Sequence, residues 1–333
     1  MNASDVTLVV PVGGAAPAWQ RSADSLKGLD PPPGEIIVVV DGPNEAHEAI
    51  AEEIGARILT LPEQGGPARA RNRGAALAQS EVLIFVDSDI EVPPRLIAQV
   101  AEIFTDTSDP AAAIGSYDDA PGDPGFLSQY RNLLHHYVHQ TGRDEASTFW
   151  SGCGAVRRQA FEAVGGFDES YVKPSIEDIE LGARLIQAGH SIRLVKDLQV
   201  KHLKIWRPIN MLSTDLWGRA VPWTRLMLSN GHLVNDLNVK TNDRISVVLA
   251  FLALGSLPLA LISWLFLGAS VLALILMIGL NASTFGFYRR KCGILFAAGV
   301  VPWYWIYLII CGLGFVLGII QYLLDKGVAR VRG

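Results

Sequence analysis

Charge is the scarcest property of this sequence, and its absence is concentrated in two places. Only 18% of the 333 residues are charged. Residues 245–288 form a run of 44 residues without Asp, Glu, Lys or Arg, and residues 292–324 form a second run of 33. These runs exclude a disordered chain and an ordinary soluble protein, because nothing else in the sequence covers that much apolar surface.

The sequence is also poor in cysteine and in basic charge. Its three cysteines, Cys153, Cys292 and Cys311, are too few and too widely spaced for a disulfide framework or a metal-binding pattern. Residues 1–244 carry 32 acidic and 22 basic side chains (net −10), whereas residues 245–333 carry 1 and 6 (net +5). The acidic N-terminal part argues against a nucleic-acid partner, which would need a basic surface.

The apolar runs predict membrane-spanning helices, each of which needs about 20 residues. The first run fits two spans, predicted at 245–264 and 267–287, with turns near Gly255–Pro258 and Gly268. The second run fits a third span at 303–324. Residues 292–302 are predicted to form a re-entrant or interfacial piece that ends at Pro302, and a fourth span is the alternative.

The N-terminal part is expected on the cytoplasmic side of the membrane. The first apolar stretch, residues 6–12, is short and follows Asp5 rather than a basic segment, so we expect no secretory signal. The basic triplet at 289–291 separates the two uncharged runs, and positively charged loops stay in the cytoplasm. A cytoplasmic location also agrees with cysteines that are not paired.

Short apolar runs alternate with helical patterns in the first hundred residues. The runs predicted to be strands are residues 6–10, 35–40, 57–61 and 81–86, and the predicted helices are at about 45–55, 67–79 and 94–104. This alternation predicts an α/β domain with a parallel sheet buried on both faces. In such sheets, ligands bind beyond the carboxyl ends of the strands.

Polar or glycine-rich turns follow three of these strands. Pro11 precedes Gly13-Gly14, Val40 precedes Asp41, and the fourth strand runs into Asp87-Ser88-Asp89. Two carboxylates two residues apart suit a Mg²⁺ or Mn²⁺ ion held together with a diphosphate. A turn that only caps the next helix is the alternative.

Three later segments carry further chemistry. Gly65–Gly74 opens a helix with backbone amides and arginines that suit a phosphate, although solvated arginines at an ordinary helix start explain it too. Glu177-Asp178 begins another helix, whose dipole stabilises carboxylates, and Asp178 is a candidate general base. His202 follows a predicted strand, where a structural histidine is the commoner case. A further predicted helix carries a group of ring side chains, which either line the acceptor side of the site or form a partly exposed helix face: Tyr130, His135, His136 and His139.

Together these motifs resemble a family 2 glycosyltransferase of the GT-A fold, a Rossmann-like α/β domain with a mixed sheet. The resemblance covers nearly all of residues 5–206. It includes the strand ending at Pro11, Asp41-Gly42, GPxxARNxG at 66–74, DxD at 87–89, Trp150–Ala155, Gly165–Asp168 and Glu177-Asp178, in that order. The family implies a nucleotide-sugar donor, usually UDP-linked, a divalent cation, and inversion at the anomeric carbon.

The resemblance also implies a role for each matching residue. Donor binding is implied for Pro11, Asp41, Arg71 and Asp87. Binding of Mg²⁺ or Mn²⁺ is implied for Asp89, with Asp87 and His202. Asp178 matches the catalytic base and Glu177 its partner. The acceptor side is implied for Trp150, Ser151, Gly152 and Cys153.

The sequence departs from the family pattern in three places. Val40 replaces the first of two aspartates, and Gly13-Gly14 replace a tyrosine-asparagine pair. No QxxRW motif follows Asp178, and its absence favours single sugar transfer because processive polysaccharide synthases of the family carry it. Glu177-Asp178 favours a hydroxyl acceptor, because an ionised lipid phosphate needs no base.

Residues 206–235 combine tryptophans with arginines and aliphatic residues. This composition predicts short amphipathic helices in the headgroup layer of a membrane, and a helical pair packed on the N-terminal core is the alternative. The expected organisation is a GT-A domain at 1–205, interfacial helices at 206–244, a transmembrane region of about three helices at 245–324, and a tail at 325–333.

The predicted protein is a multi-pass enzyme of the cytoplasmic (inner) membrane. It is expected to transfer a single sugar from a nucleotide-sugar donor to a lipid or polyprenyl-linked acceptor at the cytoplasmic face. The alternatives are a processive polysaccharide synthase and a non-catalytic GT-A-like membrane scaffold.

Overall fold

The computed structural model of the chain describes residues 1–105, 110–230 and 241–332, with side chains described up to residue 326. The chain divides into two compact units, Met1–Ile205 and Trp206–Gly333. The N-terminal unit is built around a β-sheet, and the C-terminal unit is helical in its described residues.

Four strands form the parallel half of the sheet. In sheet order they are β3 (Arg57–Thr60), β2 (Glu35–Val40), β1 (Val6–Val12) and β4 (Val82–Val86). Every residue of β1 and β4 is buried, which explains why these strands are apolar throughout rather than alternating. The predicted βα alternation is therefore confirmed.

Strands of both directions complete the other half of the sheet. β8 (Cys153–Arg157) is antiparallel to β4 and to β6 (Ala112–Tyr117), and β6 is parallel to β9 (Ile192–His202). Two short strands, β5 (Ile90–Glu91) and β7 (Glu145–Ala146), are antiparallel to β9. The sheet is mixed, as the GT-A fold requires.

Helices cover the sheet and complete the core. They are α1 (Ala16–Lys27), α2 (Glu45–Glu53), α3 (Pro67–Leu77), α4 (Leu96–Ile103), α5 (Phe126–Gln140), α6 (Arg158–Ala163) and α7 (Glu177–Gln187). The helices predicted at 45–55, 67–79 and 94–104 are present as α2, α3 and α4. Trp19 on α1 and Phe104 after α4 are among the largest fully buried side chains of this unit.

Helix α3 approaches the sheet closely because Gly74 faces β1 and β2. A Cβ atom added at Gly74 would lie 2.5 Å from Val9 Cγ1 and 3.1 Å from Val39 Cγ2. Both distances are below ordinary van der Waals separation, so no larger side chain fits without movement. The last glycine of the GPxxARNxG segment thus sets the distance between helix and sheet.

The C-terminal unit contains one π-helical stretch and six α-helices in its described residues. They are α8 (Pro208–Ser213), the π-helix Thr214–Ala220, α9 (Val221–Asn230), α10 (Thr241–Leu259), α11 (Trp264–Leu280), α12 (Ala282–Cys292) and α13 (Ile294–Arg332). Short helices between 206 and 230 agree with the predicted pattern, whereas residues 231–235 of that prediction lie outside the described residues.

A glycine-rich face of α13 packs against the helices at 214–230. A Cβ atom at Gly318 would lie 2.6 Å from Thr224 Cβ, and the Tyr322 hydroxyl donates to the Leu228 carbonyl at 3.1 Å. Arg225 pairs with Asp325 at 2.7 Å. The close approach requires glycine, because any larger side chain would separate the helices.

Two of the described helices are long and apolar enough to cross a membrane, namely Thr241–Leu259 and the Ile294–Lys326 part of α13. Helices α11 and α12 qualify only together, and they are bent by 70° at their junction, so the chain has two candidate spans, or three if the bent pair crosses. Buried Asn281 lies at this bend. Its Nδ2 donates to Ser246 Oγ at 2.8 Å, and its Oδ1 accepts from the Tyr304 hydroxyl at 2.9 Å.

Two predicted breaks in the apolar region are wrong. Gly268 lies inside α11, and α13 continues through Pro302. Apolar helices tolerate proline when the surrounding structure satisfies the carbonyl that it leaves free, and glycine is compatible with a helix that packing supports. The observed breaks are at residues 260–263, at Asn281 between α11 and α12, and at Gly293, whose φ of +89° ends α12.

Replacing Gly74 by alanine should lower the melting temperature of the N-terminal unit. Alanine gains about 1 kcal/mol of helix propensity over glycine. Forcing a methyl group against Val9 and Val39 costs about 1–3 kcal/mol, so overpacking outweighs the gain. Thermal unfolding of the purified full chain, followed by intrinsic fluorescence, measures the change.

The matched control is Ala76→Gly at an exposed position of the same helix. Its free energy of unfolding should fall only by the difference in helix propensity between alanine and glycine, about 1 kcal/mol. A Gly74→Ala variant that melts above the wild type would contradict the close packing of α3 on the sheet.

Candidate active site

The carboxyl ends of β1, β2 and β4 meet at one edge of the sheet, as the sequence predicts. A Cβ atom added at Gly13 would lie 3.5 Å from Asp41 Cβ, and one at Gly14 would lie 3.7 Å from Ser88 Oγ. The turns after the three strands therefore contact one another. Pro11 is buried within β1 just before this edge.

Asp41 fixes the glycine turn that precedes α3. Its two carboxylate oxygens accept hydrogen bonds from the backbone amides of Gly65, at 2.7 Å, and Gly66, at 3.0 Å. Gly66 has a φ of +87°, a conformation that favours glycine, and a Cβ atom there would lie 2.5 Å from the Val172 carbonyl oxygen. A contact of Asp41 with a nucleotide base stays a prediction.

Arg71 is a buried cation between two carboxylates. Its Nη2 donates to Asp87 Oδ1 at 2.6 Å, and its Nη1 donates to Glu177 Oε1 at 3.0 Å. Burial disfavours its charge, but these two carboxylates outweigh burial and hold the pKa of Arg71 above its usual value. Only 3% of the residue is exposed, so a ligand at this edge would meet Asp87 before it met Arg71. Its direct contact with a nucleotide stays a prediction.

The two aspartates of the DxD turn have different surroundings. Burial and the nearby charge of Asp89 raise the pKa of Asp87, although Arg71 opposes the shift. Burial also disfavours the charge of Asp89, but His202 and Lys204 outweigh it and lower the pKa of Asp89. Each side chain is about one-third exposed, at 34% and 32%, so both are accessible to a ligand.

Strand pairing brings His202 beside Asp89. Ile90 in β5 is the register partner of His202 in β9, and the Leu203 amide donates to the Asp89 carbonyl at 2.8 Å. His202 Nε2 therefore lies 3.5 Å from Asp89 Oδ2. The other ring nitrogen, Nδ1, lies 2.7 Å from Asn132 Oδ1.

These residues fit a divalent cation that is shared with a substrate. Among the described residues, no three His, Cys, Asp or Glu side chains are clustered to hold a metal ion by themselves. Asp89, whose side chain is 32% exposed, and the buried His202 beside it could offer one oxygen and one nitrogen ligand. Mg²⁺ and similar ions commonly bind through one or two protein ligands plus substrate phosphates and water.

Asp178 lies at the start of α7 and is held by hydrogen bonds. Its Oδ2 accepts from the Ser151 amide at 3.1 Å and the Ser151 hydroxyl at 3.3 Å, and its Oδ1 accepts from the Ile179 amide at 2.8 Å. Burial, and then the charge of Glu177, raise the pKa of Asp178 to about 6, although Arg71 and the amides oppose the shift. A carboxylate with this pKa is ionised at neutral pH and is a stronger base than an ordinary aspartate.

Glu177 differs from Asp178 because it is buried and fully engaged. Its Oε1 accepts from Arg71, and its Oε2 accepts from the Ser175 amide at 2.8 Å. Only 4% of the residue is exposed. Glu177 therefore holds Arg71 and the start of α7, whereas Asp178 is partly exposed and its role as a base stays a prediction.

The predicted acceptor segment is divided between the site and the core. Ser151 contacts Asp178, and Gly152 packs so tightly that a Cβ atom would lie 2.6 Å from the Trp150 ring. Cys153 is fully buried in the hydrophobic core as the first residue of β8, and its acceptor-side role stays a prediction. Burial, and then the charge of Asp87, raise the pKa of its thiol to about 12, so it is inert.

Aromatic and histidine rings form a cluster behind His202. Tyr117 stacks on His202 with ring centroids 4.3 Å apart, and it also contacts His135 and Trp150. His139 donates from Nδ1 to the Gly115 carbonyl at 2.9 Å and is buried. The helix that carries these histidines therefore supports β6 and His202 instead of presenting a free face.

Sequence reasoning missed Tyr117 and Asn132. Tyr117 ends β6, and Asn132 lies on α5 between Tyr130 and His135. No local pattern distinguishes either residue, because their importance comes from contact with His202, which is far away in the sequence.

Comparison with known proteins agrees with this geometry. The sequence model described as Glycosyl transferase family 2 matches residues 7–165, and the one described as N-terminal domain of galactosyltransferase matches residues 132–206. The chain is similar to the pre-mycofactocin glycosyltransferase of Mycobacterium tuberculosis, with 31% identity over 209 residues, or 60% of this chain and 42% of that protein. The chain thus matches less than half the length of this relative.

A second relative and a solved structure extend the similarity. The O-antigen chain rhamnosyltransferase of Salmonella anatum is 24% identical over 234 residues, which are 65% of this chain and 73% of that protein. A mannosyltransferase from Pyrobaculum calidifontis, solved in complex with GDP-Man and Mn²⁺, superimposes with a TM-score of 0.57. It is 14% identical, and the match covers 97% of this chain and 88% of that one.

The matched residues, the mixed sheet and the order of the motifs agree with one another. Through its N-terminal unit, the chain belongs to family 2 of the glycosyltransferases, with a GT-A fold.

Proposed function

We propose that the chain transfers a single sugar from a nucleotide-sugar donor to a hydroxyl group of a lipid or lipid-linked acceptor. The observation that carries the proposal is the ion-pair network of Arg71. One buried guanidinium joins Asp87 of the DxD turn to Glu177, the neighbour of Asp178. The donor-side and acceptor-side carboxylates are thereby held in one rigid arrangement.

On the donor side, Asp89 and His202 would hold a Mg²⁺ or Mn²⁺ ion together with the donor diphosphate. The ion would offset the negative charge that develops on the leaving diphosphate. The Pyrobaculum mannosyltransferase was solved with GDP-Man and Mn²⁺. The family resemblance favours a UDP-sugar, so both nucleotides belong in any donor test.

On the acceptor side, Asp178 would act as the general base. The acceptor hydroxyl oxygen attacks the anomeric carbon, its proton passes to the Asp178 carboxylate, and the bond from that carbon to the diphosphate oxygen breaks. The nucleoside diphosphate leaves with the electron pair. Attack from the face opposite the leaving group inverts the anomeric centre.

Two features favour a single transfer at a membrane. No QxxRW motif follows Asp178, which argues against a processive synthase. The chain passes from Ile205 into helices 208–230 and then into two or three candidate spans. The Salmonella relative is named an O-antigen chain rhamnosyltransferase, and apolar helices suit a protein whose acceptor lies in a membrane. A cytoplasmic catalytic unit and a multi-pass anchor are parts of this proposal.

Asp89→Ala should weaken the binding of UDP or GDP in Mn²⁺ by about 10–100-fold, because it removes an oxygen ligand of the cation. Binding in the presence of a chelator should equal that of the wild type. Isothermal titration calorimetry of the purified full chain, with and without Mn²⁺, measures both values.

Asp197→Ala is the matched control, since it removes an exposed carboxylate from the same strand that carries His202. It should bind like the wild type. Unchanged Mn²⁺-dependent affinity in Asp89→Ala would reject the cation role of Asp89.

Asp178→Asn should reduce turnover by about 10²–10⁴-fold, the usual contribution of a general base. Donor affinity should stay within about twofold, because the ground-state donor does not need the base. Rates from radiolabelled sugar transfer and affinities from calorimetry separate the two effects.

Glu180→Gln is the control for acid-to-amide changes in the first turn of α7, where Glu180 pairs with Arg184 at 2.6 Å. It should keep wild-type turnover. Full transfer by Asp178→Asn would exclude the base and would favour an acceptor that is already ionised. Failure of the wild type to transfer or hydrolyse any sugar nucleotide would favour the non-catalytic scaffold.

Transfer should rise with pH through an apparent pKa of about 6, the value to which burial and then Glu177 raise Asp178. Below that pH the carboxyl group is protonated and cannot accept the acceptor's proton. Above it the group is an ionised carboxylate that can. The measurement is kcat/KM from pH 5 to 8 at saturating Mn²⁺. A profile that stays flat from pH 5 to 7, with intact protein throughout, would contradict the assignment.

A further inference from the structure

Asn132 makes a buried contact with the candidate cation ligand His202. The residue lies in the middle of α5 and is 1% exposed. Its Oδ1 lies 2.7 Å from His202 Nδ1, across 70 residues of sequence. The contact is short and its two side chains are both buried, so it is a fixed part of the folded unit.

The rest of the Asn132 side chain has no comparable structural use. Its Nδ2 is buried and finds no hydrogen-bond partner within the described part of the chain. A buried donor without a partner destabilises a fold, and an apolar side chain of similar size would avoid that loss. Stability therefore does not explain an amide at this position, whereas contact with His202 does.

The amide oxygen determines where the histidine proton lies. A carbonyl oxygen only accepts, so His202 Nδ1 must carry the hydrogen that it donates to Asn132. In the neutral ring, Nε2 then keeps its lone pair, and this is the nitrogen that lies 3.5 Å from Asp89 Oδ2. Adjacent ligands of an ion with bonds of ~2.1 Å lie about 3 Å apart, so these two atoms are close enough to share one ion.

Tyr117 fixes the plane of the same ring. The two rings are stacked, with an interplanar angle of 9° and centroids 4.3 Å apart. Pairing of β5 with β9 fixes the histidine backbone. The ring is thus held on one face and at Nδ1, and its Nε2 edge points towards Asp89.

We propose that Asn132 is a positioning residue that keeps His202 in the tautomer able to bind a divalent cation at Nε2. The inference rests on the proposed function, in which Asp89 and His202 bind the cation with the donor diphosphate. Asn132 itself touches neither the ion nor the donor. Its effect is confined to the orientation and the protonated nitrogen of His202.

The test compares Asn132→Leu with the wild type by calorimetry, using UDP and GDP with Mn²⁺ or with a chelator. In the presence of Mn²⁺, the leucine variant should bind the preferred nucleotide about 10–100-fold more weakly than the wild type. In the presence of a chelator, the two proteins should bind it equally well. Asn132→Leu removes one unpaired amide donor but leaves His202 Nδ1 without its acceptor, so its melting temperature without ligand should stay close to that of the wild type. A purely structural role would instead lower the melting temperature.

Three further variants sharpen the result. Asn132→Asp keeps an acceptor oxygen for Nδ1 and should retain most of the Mn²⁺-dependent affinity. Ser128→Ala, at a buried polar position of the same helix, should match the wild type and controls for disturbance of α5. If Asn132→Leu fails to fold, Asn132→Ala carries the same prediction with a side chain that cannot clash.

A double mutant tests whether Asn132 acts through His202. His202→Ala should lose Mn²⁺-dependent affinity, and adding Asn132→Leu should cause no further loss. Additive losses would overturn the inference, and so would wild-type Mn²⁺ dependence in Asn132→Leu. If the nucleotide affinity of the wild type does not depend on Mn²⁺, that result would instead reject the cation site of the proposed function, and the positioning role with it.

Discussion

The arrangement of the candidate site depends on one buried ion pair network, in which Arg71 joins Asp87 and Glu177. A guanidinium without partners could not be buried here, because the loss of hydration would be too large. Each partner is therefore required by the other two. Removing either carboxylate would leave one Arg71 nitrogen without its acceptor. Removing the arginine would leave two carboxylates without their cation.

The neighbouring structure is arranged to supply this network. Gly74 lets α3 lie close to the sheet, which brings Arg71 on the same helix to the strand ends. Asp41 holds the glycine turn before the helix. Asp178 stands outside the network but beside it, and the burial and negative charge around it give a carboxylate suited to accepting protons near neutral pH. The carboxylates proposed to act on the donor and on the acceptor thus interact electrostatically with the same arginine.

The sequence predicted what is local and missed what depends on distant pairing. Buried parallel strands are apolar runs, and carboxylates directly after them must lie at the sheet edge, so Asp41, Asp87 and Asp89 were found from the pattern. The contact of His202 with Asp89 depends on the register of β5 and β9, and that of Asn132 with His202 on the packing of α5. Neither contact produces a pattern in the sequence near the residues that make it. Ser151 contacts Asp178, whereas Cys153, the first residue of β8, is buried in the core.

The C-terminal region illustrates the same limit. Absence of charge predicted apolar helices, but composition does not fix where they bend. Proline at 302 is accommodated within a continuous helix, whereas the bend falls at Asn281, whose polar contacts to Ser246 and Tyr304 satisfy its side chain. In an apolar environment such contacts decide which deviations from a straight helix are tolerated.

The central claim is metal-dependent transfer of one sugar to a membrane acceptor, and product mass tests it most directly. The purified full chain would be incubated in lipid bilayers with a panel of UDP- and GDP-sugars, Mn²⁺ and a membrane lipid extract, followed by mass spectrometry of the lipids. The account predicts one lipid species shifted by the mass of a single sugar, formed with Mn²⁺ and absent with a chelator. A ladder of products, or no transfer from any donor, would contradict it.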